Sequence, residues 1–173
     1  QSNAMLIRFA HLCYFLGFLC RIVPAQLAPD IEWQTSAGGP GTDRSNSCLR
    51  TSFGEYVMVG GAEFNGGDVT GVHGEDDLWL TKFAASGGLV WQKALGGSGS
   101  EFGRSVIEAM DGGFVCAGRS DSNDGDVTGN HGQADAWIVK TNGAGTIEWE
   151  TSLGGSATDF AWDIIQTADG GFV

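Results

Sequence analysis

Carboxylates concentrate in one short stretch of the chain, Asp121-Ser-Asn-Asp-Gly-Asp126, which resembles half of a calcium-binding loop. Oxygen-rich side chains around a glycine turn are what a hard cation selects, so Asp121, Asp124 and Asp126 are candidate calcium ligands. The spacing differs from that of an EF-hand loop, which places ligands at alternate positions and closes with a glutamate. The alternative is that these side chains cap turns of the backbone. No cofactor is predicted outright, and calcium is the one that the sequence raises as a candidate.

Two further groups could carry chemistry, the histidines His73 and His131 and the adjacent acids Asp76 and Asp77. Both histidines stand before a glycine in similar surroundings, and binding one metal would require them to converge. Glycoside hydrolysis needs two carboxylates that face each other across a bond, whereas neighbouring residues of a strand point to opposite faces. We therefore expect a structural turn at each histidine and predict no catalytic residue.

These residues lie in an internal repeat of 58 residues. Trp33, Trp91 and Trp149 are spaced 58 and 58 apart, and the first two copies match at 21 positions without a gap. A fixed period of this size indicates stacked supersecondary units. Residues that recur in each copy are expected to build the unit, whereas a functional site is expected to break the repeat. The units are residues 33–90, 91–148 and a partial 149–173.

One tryptophan breaks the repeat. The tryptophans that recur, at positions 33, 91 and 149 and at positions 79 and 137, are expected to pack in the fold rather than to stack on sugars. Trp162 stands where the earlier copies have Arg104 and Asn46. It is therefore the aromatic residue with the best case for a binding role.

Each unit divides into four short strands separated by glycine-rich turns. The second strand is apolar at successive positions and is expected to be buried on both faces, whereas the fourth alternates apolar with charged residues, as an outer strand does. No stretch beyond residue 25 shows a helical apolar period. The sequence predicts an all-β fold of four-stranded antiparallel β-propeller blades, about two and a half in number. In the second copy the strands are expected at residues 104–109, 114–117, 136–139 and 147–151.

The repeat motifs resemble those of exported bacterial β-propeller repeat proteins. The matching motifs are Asp-Gly-Gly-Phe, Gly-Asp-Val-Thr-Gly-Asn-His-Gly, Asp-x-Trp-Ile-Val-Lys and Ile-x-Trp-x-x-x-Leu-Gly-Gly-Ser, and they extend over residues 33–173. A weaker resemblance, over residues 140–149, is to the blades of quinoproteins. The first resemblance implies an extracellular or surface module, and neither implies a particular ligand.

The amino-terminal residues are predicted to lie outside this fold. Residues 1–4 are interpreted as an expression-tag remnant, and residues 5–25 as a secretory signal peptide, because an apolar stretch follows one cation and ends in Val23-Pro-Ala25. That stretch is shorter than the roughly 20 apolar residues of a membrane span. The propeller repeat region is then residues 26–173, with no membrane span. The protein is predicted to be exported, to the extracellular space, the periplasm or the outer cell surface.

Two cysteines, Cys48 and Cys116, remain in the repeat region and occupy places that are not equivalent in the repeat. Two cysteines form no disulfide framework. We expect small buried strand residues rather than a bridge.

The chain is acidic, with 9 Lys and Arg against 21 Asp and Glu and a net charge of −12. Affinity for nucleic acid comes from Lys and Arg that displace counterions from phosphates, so nucleic acid is not an expected partner. The strand order is expected to bring the loops 62–76, 96–101, 120–134 and 154–159 to one face, which we expect to be the interaction surface. The acids of that face are Glu63, Asp68, Glu101, Asp121, Asp124, Asp126 and Asp159.

Closure of the fold needs more than this chain supplies. Propellers have about four or more blades, and two complete sets of strands with a partial third fall short of that number. We expect either a piece of a longer protein or a truncated gene product. In both cases an exposed sheet edge would pair with another chain, so self-association is predicted.

Two classes of function follow. The first is a secreted or cell-surface module that binds or scaffolds without catalysis, with an extracellular protein or a glycan as its partner. The sequence favours it because there is no Gly-x-Ser-x-Gly, no metal-ligand cluster and no phosphate-binding loop. The second class is a fragment of an extracellular propeller enzyme, either glycan-processing or quinoprotein-like.

Overall fold

The structure is a computed structural model that describes residues 30–173. Within this range the chain contains no helix, and therefore none of a length and hydrophobicity that would cross a membrane. The predicted tag remnant and signal peptide lie outside the described residues. The eight strands are β1 (Arg44–Arg50), β2 (Tyr56–Ala62), β3 (Asp77–Phe83), β4 (Leu89–Leu95), β5 (Glu101–Glu108), β6 (Phe114–Ser120), β7 (Asp135–Thr141) and β8 (Ile147–Leu153).

The strands form two four-stranded antiparallel sheets, each in the order of the sequence. The first sheet is β1-β2-β3-β4 and the second sheet is β5-β6-β7-β8. The four strands expected in the second copy are present as β5 to β8, close to their expected bounds, and β6 is buried at all but one of its seven residues. The prediction of an all-β chain built from four-stranded antiparallel sheets is confirmed.

Equivalent glycines shape the turn between the first and second strand of each unit. Gly54, Gly112 and Gly170 have φ values of 86°, 80° and 90°, a left-handed conformation that strains any residue with a Cβ. Each amide donates to the carbonyl oxygen three residues earlier, so the chain reverses tightly. This is why glycine recurs at this place in all three copies.

A β-bulge interrupts the first strand of each sheet. In β1 the register shifts between Ser45 and Ser47, and in β5 it shifts between Gly103 and Ser105, so Asn46 and Arg104 are the extra residues. The residues opposite are Gly60 and Gly118. An added Cβ at either glycine would collide with a main-chain oxygen across the pair, Arg44 O in the first sheet and Phe102 O in the second.

The two sheets pack face to face around one apolar core. The first sheet contributes Val57, Val59, Leu78, Leu80 and Leu95, which are at most 5% exposed. The bare backbone of Gly103 allows close approach, because a Cβ there would meet the side chain of Val59. The second sheet contributes Val106, Phe114, Cys116, Trp137 and Val139.

The two cysteines differ in their surroundings. Both are free, and Cys116 is fully buried in the core, where burial raises the pKa of its thiol to about 12. Cys48 is exposed, so the prediction of burial is wrong for it. Its equivalent, Val106, is buried because the first sheet covers it, whereas nothing in residues 30–173 covers β1 in the same way.

Residues 154–173, the part of the third unit that follows β8, lie on the far face of the second sheet. Ile164 is 5% exposed and packs with Ala109, Val115 and Ala117. This segment has no assigned strand, and a single antiparallel bridge joins Gln166 to Phe172. It therefore covers the second sheet much as the second sheet covers the first, with fewer residues.

The bulge glycine gives a test of the sheet geometry. Gly118→Ala is expected to lower the free energy of unfolding by about 3 kcal/mol, because the new Cβ would collide with Phe102 O and the backbone of β5 would have to shift. Gly155→Ala is the matched control, since an added Cβ there meets nothing within 4 Å. Urea unfolding of the two variants measures the difference, and equal stabilities would contradict the close approach.

Candidate functional site

The acidic loop caps a run of backbone amides. Residues 96–100 connect the first sheet to the second, and each of their five consecutive N–H groups donates to a side-chain oxygen. Glycine-rich loops leave such amides without partners in the backbone, so side-chain acceptors satisfy them. The pairs are Gly96 with Asp126 (3.2 Å), Gly97 with Glu101 (2.8 Å), Ser98 with Asp124 (2.7 Å), Gly99 with Ser122 (2.8 Å) and Ser100 with Asp121 (2.5 Å).

The same hydrogen bonds recur 58 residues away. Gly38 N–H donates to Asp68 at 3.2 Å, as Gly96 does to Asp126. Thr42 N–H donates to Glu63, matching the pair of Ser100 and Asp121. A bond to the acid four residues ahead occurs three times, in Gly39 with Asp43, Gly97 with Glu101 and Gly155 with Asp159. The acids of the loops are therefore repeated parts of the connection between units.

Two pairs of the capped segment have no counterpart in the first copy. Ser122 accepts from Gly99, but its equivalent is Phe64, whose side chain has no acceptor. In the other pair the donor is missing as well. Asp124 accepts from Ser98, but the equivalent residues in the first copy are Gly66 and Pro40. Proline has no amide hydrogen to donate, and glycine has no side chain to accept one. The donor and the acceptor are thus absent together, which supports a capping role for Asp124.

The candidate calcium ligands diverge onto different amides. Asp121, Asp124 and Asp126 each accept from a different residue of the 96–100 segment. The amide of Ser98 holds the pKa of Asp124 below its usual range, which is the effect of a hydrogen bond to the charged form. In residues 30–173 no three His, Cys, Asp or Glu side chains are grouped so as to hold a metal ion. This geometry favours turn capping, and calcium stays a prediction to be tested.

Each histidine is paired with a buried aspartate. His73 Nδ1 lies 2.8 Å from Asp77 Oδ2, and His131 Nδ1 lies 2.7 Å from Asp135 Oδ2. The backbone amide of each histidine also donates to the same aspartate. Both aspartates are completely buried, so the pair closes the loop that leads into the third strand of each sheet. The recurrence of His and Asp four residues apart is explained by this structural turn.

Glu101 is the buried carboxylate of the capped segment. It is completely buried, and it accepts from the amide of Gly97 and from the hydroxyl of Ser120. Burial raises its pKa, and the nearby charge of Asp77 adds to the rise. The two oxygens of Glu101 therefore accept from groups of the fold itself.

Trp162 lies apart from the acidic loops. Its side chain is 66% exposed, and its ring carries the Arg104 guanidinium at 4.8 Å and the Phe160 ring at 5.9 Å. Arg104 is the bulge residue of β5, and the bulge residue of β1, Asn46, likewise reaches the next unit by donating to Gly103 O at 2.7 Å. The predicted binding residues therefore lie in three separate places. Asp68 contacts the amide of Gly38, and Trp162 lies on the third unit. The other three, Asp121, Asp124 and Asp126, contact amides of residues 96–100.

Sequence reasoning missed a groove on the outward face of the first sheet. The groove has a volume of about 450 Å³ and lies between residues 33–37 and the sheet, with Trp33 against Tyr56 at 5.4 Å. The signal that could have found it is the repeat itself, because core residues of the second sheet have apolar counterparts here. The sheet residues lining it include Cys48, Tyr56, Met58, Trp79, Thr81 and Phe83.

The chain matches no protein-family model and no curated protein sequence. The roles of the loops and sheets are therefore inferred from the contacts that they make.

The buried glutamate predicts a pH dependence with a definite sign. Because the pKa of Glu101 is raised, the folded protein keeps a proton there at pH values where the unfolded chain has lost it. The free energy of unfolding of the wild type, relative to that of Glu101→Gln, should therefore fall as pH rises from the ordinary glutamate pKa through the raised pKa of Glu101. Asp124→Asn is the contrast, since the pKa of Asp124 is lowered and the wild type should gain relative stability as pH rises. Urea unfolding across the acidic range measures both, and parallel curves would contradict the assignment.

The calcium prediction is tested by thermal unfolding. Because the three aspartates already accept from backbone amides, we expect neither added calcium nor a chelator to shift the melting temperature. Magnesium serves as the control for ionic strength. A rise in melting temperature with calcium that Asp124→Asn abolishes would show that the loop binds the ion.

Proposed function

We propose that this chain is a module of a secreted or cell-surface β-propeller, and that it binds or scaffolds other molecules without catalysis. The observation that carries the proposal is the set of contacts made by the histidine and carboxylate side chains. The histidines and loop acids take part in hydrogen bonds that recur every 58 residues and hold the units in shape. A catalytic site is expected to break the repeat, whereas these pairs recur with equivalent partners in successive units.

The same aromatic contact joins one unit to the next at three places, and this recurrence supports an arrangement of successive blades. An aromatic pair joins each fourth-strand position to the next unit: Trp33 to Tyr56 at 5.4 Å, Trp91 to Phe114 at 6.1 Å and Trp149 to Phe172 at 5.8 Å. Four-stranded antiparallel sheets stacked by a constant step are the construction of a propeller. The proposed partners are an extracellular protein, a glycan or another copy of the chain. Nucleic acid is unsuited to a chain of net charge −12.

The contrast with an enzyme gives the test. Purified protein is incubated with neutral and acidic polysaccharides while reducing ends and retardation in affinity electrophoresis are followed together. We expect no release of reducing ends and no quinone absorbance, whatever the degree of retardation. If the wild type releases reducing ends and either Asp76→Asn or a second variant, His131→Gln, abolishes the release, the protein is instead a glycan-processing enzyme.

A further inference from the structure

The outward face of the first sheet is a partly covered copy of a contact that the structure already contains. Residues 33–37 lie over one side of it and leave a groove, so Trp79, Thr81 and Phe83 are at most 7% exposed whereas Cys48 is exposed. We call its residues the open face: Cys48, Tyr56, Met58, Trp79, Thr81 and Phe83. The residues 58 positions later are buried, from 0 to 5% exposed, and they pack in the contact between the two sheets. Those equivalents are Val106, Phe114, Cys116, Trp137, Val139 and Thr141. The open face is thus the receiving half of a unit-to-unit contact.

The third unit carries the matching presenting half. In the first sheet, Asn46 and Leu49 of β1 reach toward the second sheet, Asn46 by its hydrogen bond to Gly103 and Leu49 by packing on the shared core. The residues equivalent to them in the third unit are Trp162 and Ile165, which are 66% and 57% exposed. At these two positions the first sheet contacts the second, so in the third unit the equivalent contact is unmade within residues 30–173.

Charge also matches between these two surfaces. Inside the chain, the amide and hydroxyl of Ser52 both donate to Glu108 of the next unit. The residue equivalent to Glu108 on the first sheet is Arg50, which makes no ion pair within residues 30–173. In the third unit, the loop equivalent to that of Ser52 carries Asp169. Asp169 Oδ1 accepts from Thr167 and Gly171 within its own turn, so the acid would meet an arginine of another copy through Oδ2. Such a pair of opposite charges would take the place of the bond found inside the chain.

We propose that the open face of one copy binds the third unit of a second copy, head to tail, so that the chain assembles through its own repeat contact. The proposal rests on the proposed scaffold function and specifies its partner. Trp162 is then an interface anchor beside Asn46 of the second copy, and Ile165 packs on Cys48 and Tyr56. The two surfaces are different, so the contact is heterologous and builds rings or open chains rather than only a two-fold dimer.

Paired variants test this contact. Met58→Lys damages the open face and leaves the third unit intact, whereas Ile165→Lys does the reverse. Light scattering over a wide range of concentration should show wild-type species of two or more copies and a monomer for each variant alone. An equal mixture of the two variants retains one intact contact and should form a dimer and nothing larger. Phe53→Lys, at a loop residue that is 85% exposed, is the matched control and should assemble like the wild type.

Cysteine cross-linking tests the same contact without relying on a charge in a strand. Cys48 is exposed on the open face, and Cys116 is buried and unreactive. Ile165→Cys should form an intermolecular disulfide with Cys48 on mild oxidation, and the further change Cys48→Ser should abolish it. Cys48→Glu replaces Met58→Lys if circular dichroism shows that the lysine variant is unfolded.

Three outcomes would overturn the proposal: a monomeric wild type at every concentration, a variant mixture that stays monomeric, or a wild-type Cys48–Cys48 dimer that pairs two open faces. None of them bears on catalysis, which the polysaccharide assay measures separately. A failed assembly and a failed scaffold function are therefore distinguishable.

Discussion

The structure depends on the packing of one four-stranded sheet on the next at a fixed offset of 58 residues. Large apolar side chains fill that contact, and glycine at position 103 lets the first strand of the second sheet approach Val59. The bulge in the first strand of each sheet and the short connection at residues 96–100 must both fit the spacing between the two sheets. A short connection of this kind cannot form regular backbone hydrogen bonds, so its amides require other acceptors.

The acidic character of the chain follows in part from that requirement. Carboxylates at several loop positions accept hydrogen bonds from glycine-rich backbone, and each such bond is stronger than one to a neutral acceptor. Glu101 is the extreme case, because its carboxyl group is completely buried and accepts from two donors. An acidic loop in such a repeat is therefore weak grounds for a metal site, and the partners of its oxygens have to be known first.

The sequence predicted the architecture well because the repeat compares the chain with itself. The strands of the two complete copies, the turn glycines and the structural role of His73 and His131 could all be read from residues that recur. Turn capping by Asp124 was the alternative to calcium, but its partner could not be read, since a hydrogen bond to an amide 26 residues away leaves no local pattern. The exposure of Cys48 was missed, because burial of a strand residue depends on what covers the sheet. Trp162 was singled out because it breaks the repeat, but its contacts with Arg104 and Phe160 required the three-dimensional arrangement.

The joint absence of a donor at Pro40 and an acceptor at Gly66 limits how units of this kind can be recombined. A loop moved from one unit to another carries its acceptors but leaves its donors behind, because the two belong to segments far apart in sequence. Residues 120–126 placed in the first unit would set a carboxylate against a proline ring. Interchangeable modules of this repeat must therefore be exchanged as loop and preceding connection together, and the natural cutting point lies inside a strand rather than between sheets.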